Sequence, residues 1–374
     1  MFPLNNTAAL VSTYDEGPYL EYLLRWLHEW VDIIYVAEGT TSQYGESQKE
    51  DRETKQIIDK IGSDRIRYRM SETVHPNPMR RAALQRNLVL DEIEENFQWA
   101  WLIDADEIYT DKEAVQLWEY FFKHFPWAQG VTVRTHTYWR SMRWKVLPPE
   151  PIQAMVIMRT SERLNLGRSF VHGSSLQGVP WEVCAFRHYS WAKEPWRVRR
   201  KISNWGHALE VSPGWYDNVF EAWTPGCDME DLHVDERYKE AYKRIGRCEE
   251  PIPECLENHP WSDGRVIEDE KEREVFRVLI EGEEFGRLAL RGLAGVELVT
   301  EGEADIALFD RIDSIDRYQR VRSMVPCVVR DGEESGLSHS ENGFTFGNAL
   351  YARHWVQMLS FNEGLRKKFV EAHQ

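Results

Sequence analysis

The sequence predicts an α/β protein, with a mainly parallel sheet covered by helices and a second, smaller α/β domain behind it. Three observations predict this. Short apolar, β-branched runs alternate with helical patterns from the first residues. The alternation breaks in a stretch rich in proline and acid, EEPIPECLENHPWSDGRVIEDEKERE (249–274), and then restarts. The chain has 374 residues, more than one core usually organises, so about two domains are expected.

The elements follow in order. AALVSTY (8–14) reads as a buried strand. Gly17-Pro18 opens a helix with Leu20, Leu23, Leu24 and Leu27 on one face. IIYVAEG (33–39), RIRYR (65–69) and WAWLI (99–103) are the next strands. GVTVRTHTYW (130–139), AMVIMR (154–159) and VCAFRHYSW (183–191) continue the series, followed by a helix over 194–205. The division is therefore 1–262, a linker at 263–272, and a small α/β domain at 273–374. In that domain FRVLIEG (276–282), VELV (296–299), DIALFD (305–310) and PCVVRD (326–331) read as strands, and helices are expected near 348–359 and 362–372.

Composition sets limits. A net charge of -16 argues against a large nucleic-acid footprint, because phosphate tracking needs clustered Lys and Arg. The sixteen Trp are read mainly as core, with stacking on sugars as the functional alternative. The five Cys at 184, 227, 248, 255 and 327 form no Cys-x-x-Cys pair, the pattern of a reduced intracellular chain. Neither a signal peptide nor a transmembrane segment is evident, so a cytoplasmic location is expected. His172, His188, His207 and His233 are spaced by 16, 19 and 26 residues, which matches no standard zinc pattern.

The most informative stretch is WAWLIDADEIYT (99–110). A buried strand delivers Asp104 and Asp106 to its carboxyl end, where open α/β sheets bind ligands. Neighbouring carboxylates repel unless something compensates them. A hard divalent ion, Mn²⁺ or Mg²⁺, would do so while bridging to substrate phosphates and neutralising a departing diphosphate. That role, and the enzymatic reading with it, requires both side chains to face a cleft and to stay out of ordinary ion pairs. The bland alternative is a solvated acidic turn, with Asp111 capping the next helix. In the preceding helix, opened by Asn77-Pro78, Arg86 shares a face with Met79, Ala83 and Leu90. Its partner is either a structural carboxylate, an Asp of the metal site, or the donor diphosphate.

These residues resemble the GT-A-fold glycosyltransferases, in particular the family-2-like group. ALVSTYDEGPYLEYLLRWL is similar to that family's opening strand, nucleotide-contacting turn and first helix. QRNLVLDEI followed by WAWLIDADEIY is similar to its Arg-Asn helix and Asp-x-Asp. HYSW (188–191), with Lys201 and NWGH (204–207), resembles its C-terminal His-Tyr-Gly/Ser-Trp element. The resemblance implies a GT-A-like nucleotide-diphospho-sugar transferase fold. It also implies transfer of a sugar from a nucleotide-sugar donor to an acceptor hydroxyl, with inversion. Thr13, Glu16 and Glu38 would lie near the nucleoside, and Arg86 and Lys201 near the donor phosphates. Asp104 and Asp106 would hold the metal and touch the diphosphate or the donor ribose, and His188 would be the distal metal ligand or a diphosphate contact.

The chain departs from the family at two places. The second-strand loop reads AEGTTSQYG in place of an acidic cluster. Where some relatives carry Val-His-Glu, this chain has VHG (171–173), so the family's base is missing. Glu182 and His172 are the remaining candidates for taking the acceptor's proton. The acceptor is expected to be a glycan, a small molecule or a hydroxymethylated DNA base, the last because RHYSWAKEPWRVRRKISNWGH (187–207) mixes cations with Trp. Two alternatives remain. A sugar nucleotidyltransferase would share the core, but STYDEGPY lacks its Gly-rich, basic loop. A non-catalytic sugar- or nucleotide-binding module would have kept the fold alone. Residues 273–374 faintly resemble the C-terminal, Rossmann-like half of GT-B glycosyltransferases without its two-glutamate donor signature.

Overall fold

The structure is a computed structural model. It describes residues 4, 6–14, 16–39, 53–73, 75, 77–93, 95–151, 153–170, 175–212 and 214–268, and six strands between 276 and 346. The chain divides into two compact units, Met1–Val198 with Tyr238–Glu268, and Arg199–Arg237 with Asp269–Gln374.

The first unit begins β1 (Thr7–Thr13), α1 (Leu20–Leu27), β2 (Ile33–Gly39), α2 (Glu53–Ile61), β3 (Ile66–Ser71), α3 (Pro78–Leu90) and β4 (Trp99–Asp104). It continues with β5 (Glu107–Ile108), α4 (Asp111–His124), β6 (Gly130–Trp139), β7 (Trp144–Leu147), β8 (Gln153–Arg159), β9 (Leu164–Leu166), β10 (Ser169–Phe170), β11 (Leu176–Gly178) and β12 (Ala185–Trp191). Helix α5 (Pro195–Asn204) follows, and β13 (Arg244–Arg247) is the last strand of the unit. The large sheet runs β13-β7-β6-β8-β4-β1-β2-β3, with β11 and β12 added beside β6 and β5 beside β12. The β3-β2-β1-β4 half is parallel throughout, and β8 joins β4 antiparallel.

Burial on both faces explains why β1, β2 and β4 read as unbroken apolar runs. Ala9, Val11, Ile34, Val36, Trp101 and Ile103 face one layer with Leu20, Leu23, Leu24 and Leu27 of α1 and Leu117, Trp118 and Phe121 of α4. Ala8, Leu10, Ile33, Tyr35, Ala100 and Leu102 face the other with Ala83, Val89 and Leu90 of α3. Trp101, Trp118, Trp139, Trp191 and Trp223 are fully buried, so these five are core residues.

Helix starts follow local chemistry. The Asn77 side chain accepts the Arg80 N–H at 2.9 Å with Pro78 at the first helical position, the expected opening of α3. Asp111 does not cap α4. Thr110 does, in a capping box with Glu113, and Asp111 accepts the Trp26 indole N–H at 2.8 Å instead.

The acidic, proline-rich stretch is packed as far as it is described. Leu256 and Ile267 are buried, and the Ile267 N–H donates to the Arg140 carbonyl at 2.7 Å. His259 is also buried. Its ring lies 4.9 Å from that of Tyr19, and its Nε2 is 2.8 Å from the Pro18 carbonyl. Burial pushes this imidazole down to about 4, against a small opposing effect of the Pro18 carbonyl. The folded unit thus holds His259 neutral, whereas the unfolded chain protonates it near 6.5. Its contribution is complete above that value and is lost as pH falls towards 4. The urea midpoint is expected to drop over this window, and to drop less steeply in His259→Phe. Identical slopes in the two proteins would contradict the assignment.

In the second unit, the Trp215 indole donates to the Leu232 carbonyl at 2.9 Å, and Phe220 and Trp223 are buried. Its sheet comprises β14 (Phe276–Glu281), β15 (Val296–Val299), β16 (Ile306–Phe309), β17 (Cys327–Arg330), β18 (Leu337–Ser340) and β19 (Gly343–Phe346), in the order β15-β14-β16-β17-β19-β18. All pairs are parallel except β18–β19. The first four strands match the sequence reading. The antiparallel pair was not among the strands read from the sequence. The helices expected at 348–359 and 362–372 lie outside the described residues.

Candidate active site at the carboxyl edge of β1 and β4

The chain leaves β1 to build β2 and β3 on one side, then returns to place β4 on the other. The crevice between the carboxyl ends of β1 and β4 is therefore a topological switch point, where open α/β sheets bind ligands. Ser12 pairs with Asp104 across it, and the Ala105 N–H donates to the Ser12 carbonyl at 3.1 Å. From β1, Thr13 and Glu16 reach this edge. From β4, Asp104, Asp106 and Glu107 do so. Strand β12 then fixes the acidic turn from beyond, with His188 opposite Glu107 and the Tyr189 N–H donating to the Asp106 carbonyl at 2.8 Å.

Three cations meet these carboxylates. Arg86, buried on α3, places Nη2 2.7 Å from Asp104 Oδ1. Arg168, from the turn between β9 and β10, lies 2.6 Å from Asp104 Oδ2 and 2.7 Å from Glu107 Oε1. Gly167 makes that turn possible. Its φ is +54°, its N–H donates to the Met79 carbonyl at 2.8 Å, and a Cβ there would meet the Met79 side chain at 2.7 Å. Lys193, just after β12, is fully buried. Its Nζ lies 2.7 Å from both oxygens of Glu16 and 2.9 Å from Asp106 Oδ2. His188 Nε2 stands 3.5 Å from Asp106 Oδ1.

The electrostatics follow from burial and these partners. Burial alone would raise the Asp104 carboxyl, but Arg168 and Arg86 together hold it well below the usual range. Glu107 is raised, because burial and neighbouring Asp104 outweigh Arg168. Burial would push the Lys193 ammonium down, but Asp106 and Glu16 reverse this and hold it above the ordinary lysine value. Asp104, His188 and Glu16 are the accessible members, with side chains 33%, 26% and 24% exposed, while Asp106 and Glu107 are below 10%.

The expected divalent ion fits this arrangement poorly. Both oxygens of Asp104 and at least one of Asp106 are engaged by side-chain cations. Among the described residues, no three of His, Cys, Asp and Glu converge as a metal-binding set. The condition set by the sequence for the metal and for the enzymatic reading, carboxylates outside ordinary ion pairs, is not met. The physical reason is that Arg168 and Lys193 already supply the compensating charge.

The other expected site residues fall as follows. Thr13 is buried at the end of β1, and its hydroxyl makes no hydrogen bond among the described residues. Glu38 is buried near the end of β2 and accepts a hydrogen bond from the Tyr68 hydroxyl. Glu182 is exposed on the turn before β12, towards the amino end of a strand whose His188 lies in the cluster, and is not brought to it. Lys201 is half-buried on α5 and belongs to the second unit. His172 lies outside the described residues. Arg168 and Lys193 were missed by sequence reasoning. Their signals, a Gly-Arg turn in a hairpin and a Lys two residues after a tryptophan-ended strand, gain meaning only from the fold.

No family model matches the chain, and no curated protein matches it. Two solved structures are similar over part of its length. One is glucosyl-3-phosphoglycerate synthase from Mycobacterium tuberculosis, in complex with Mn²⁺, uridine diphosphate and phosphoglyceric acid. It is 11% identical, with a TM-score of 0.32, over 50% of this chain and 71% of that one. The other is a 4-diphosphocytidyl-2C-methyl-D-erythritol synthase from Anaerococcus prevotii, 13% identical, with a TM-score of 0.26, over 41% of this chain and 70% of that one. The assignment of the crevice rests on the strand order and the charged cluster themselves. Among the described residues, no helix is long and apolar enough to cross a membrane.

Proposed function

We propose that this chain is a glycosyltransferase that moves a sugar from a nucleotide-sugar donor to an acceptor hydroxyl, the donor lying over the β1–β4 crevice. One observation carries the reading. A cluster of four carboxylates and three buried cations stands at the switch point of the parallel sheet, with Asp104, Glu16 and His188 left accessible. Buried charges of this number are costly as scaffold alone. At the carboxyl edge they are placed to receive a polar, charged ligand.

In this reading Asp104 accepts hydrogen bonds from the donor ribose, and Thr13 and Glu38 line the nucleoside side. Arg168 and Arg86 face the diphosphate. His188 contacts the phosphate nearest the sugar. The acceptor oxygen bonds to the anomeric carbon as the bond from that carbon to the diphosphate breaks, with inversion. The acceptor proton passes to a base, for which His172 is the proposed group, and the nucleoside diphosphate leaves. Residues 273–374 are proposed as a separate module without donor chemistry. A glycan, a small molecule or a modified DNA base is the proposed acceptor class.

A single-turnover assay with a panel of nucleotide sugars tests the reading. Release of a nucleoside diphosphate from at least one donor is expected. Pyrophosphate released from a nucleoside triphosphate and a sugar phosphate would instead indicate a nucleotidyltransferase. Silence with every substrate would indicate a binding module.

A further inference from the structure

We propose that the acidic pair of this chain is closed to divalent metal by Lys193 and Arg168, and that these side chains supply the positive charge that sequence-level reasoning assigned to Mn²⁺ or Mg²⁺. The second half of this inference rests on the glycosyltransferase reading, while the first half does not.

The argument is geometric. Lys193 Nζ sits between two carboxylates, 2.7 Å from both oxygens of Glu16 and 2.9 Å from Asp106 Oδ2. A divalent ion shared by Glu16 and Asp106 would have to occupy the same place. The ammonium cannot easily swing away. It is fully buried and follows directly on a backbone held by the Ala192 N–H to the Tyr189 carbonyl at 3.1 Å. Tyr19, stacked on Tyr189 at 4.8 Å, donates its hydroxyl to the Ala192 carbonyl and closes the space behind it.

Arg168 does the same for the other aspartate. Its Nη2 lies 2.6 Å from Asp104 Oδ2 and 2.7 Å from Glu107 Oε1, while Arg86 holds Oδ1 at 2.7 Å. Asp104 thus has a guanidinium on each oxygen. Arg168 has capacity left over. Its Nη1 makes no hydrogen bond among the described residues, although the side chain is nine-tenths buried. A guanidinium offers five N–H donors in a fixed fork that matches phosphate oxygens. Unsatisfied buried donors of this kind call for a partner, and the oxygens of a diphosphate supply one. During transfer, the electron pair of the breaking sugar–oxygen bond stays on the leaving diphosphate. The charge that appears there would be met by Arg168 and Arg86, with Lys193 holding Asp106 and Glu16 neutralised beneath it.

Two measurements test this on the full chain. Free Mn²⁺ is followed by electron paramagnetic resonance as Mn²⁺ alone is titrated into the wild-type protein and into Lys193→Ala. The wild type is expected to show no saturable site. Lys193→Ala, by vacating the ammonium, is expected to gain one. A saturable wild-type site that disappears in Asp106→Asn overturns the proposal, as does a folded Lys193→Ala that still ignores Mn²⁺. Should Lys193→Ala not fold, the wild-type titration decides alone. Donor release from the nucleotide-sugar panel is then compared in EDTA and in Mn²⁺. Equal rates are expected. Release only with Mn²⁺ overturns this inference and leaves the glycosyltransferase reading standing. No release under either condition overturns that reading, and with it the proposed role of Arg168, while the metal titration still judges the closed pair.

Discussion

Lys193→Met is expected to destabilise the first unit by about 3–5 kcal/mol, the cost of removing one partner from a buried ion pair. The methionine fills similar volume, so little of the loss comes from a cavity. It comes from leaving Glu16 and Asp106 facing each other with no cation between them, where Lys193 had approached both within 2.9 Å. Denaturant unfolding of the single variant and of Lys193→Met combined with Asp106→Asn and Glu16→Gln gives the check. The combined variant is expected to recover most of the loss, because no uncompensated charge remains. A single variant as stable as the wild type would mean that the ammonium is not held as described.

Asp104→Asn is the second large effect. This carboxylate is one-third exposed at the crevice and bonded to two guanidinium groups. The amide keeps the shape but loses the charge that orients Arg86 and Arg168. Donor release is expected to fall by about 10²–10³-fold, the range seen when one preorganised electrostatic group is removed from a polar active site. The fold should persist, because the apolar layers on either side of β4 are untouched. Circular dichroism and donor release measured on the same sample separate the two outcomes. Full activity in a folded variant would remove Asp104 from the site.

Much of the framework was legible because strands buried on both faces announce themselves. Ile33–Gly39 and Gly130–Trp139 were read at their observed bounds, and β1 and β4 within a residue or two. The acid pair was legible because charge directly after an apolar strand is an outlier. Short strands such as β9 and β10 were not, since two or three residues carry no period. The partners of the aspartates were hidden for a different reason. Arg168 is 64 residues from Asp104, and Lys193 is 87 residues from Asp106 and 177 from Glu16, and nothing local marks them. Arg86 was visible only as a charge on an apolar face, with its partner left open. In the fold its Nη2 lies 2.7 Å from Asp104 Oδ1.

The most direct test is the melting midpoint of wild-type and Arg168→Met protein with UDP, GDP, ADP, CDP and dTDP in turn. Ligand that binds the folded state raises the midpoint. At least one nucleotide is expected to do so for the wild type and to lose most of that effect in Arg168→Met. If none of the five shifts the wild type, or if one shifts both proteins equally, the crevice between β1 and β4 is not where a nucleotide donor sits.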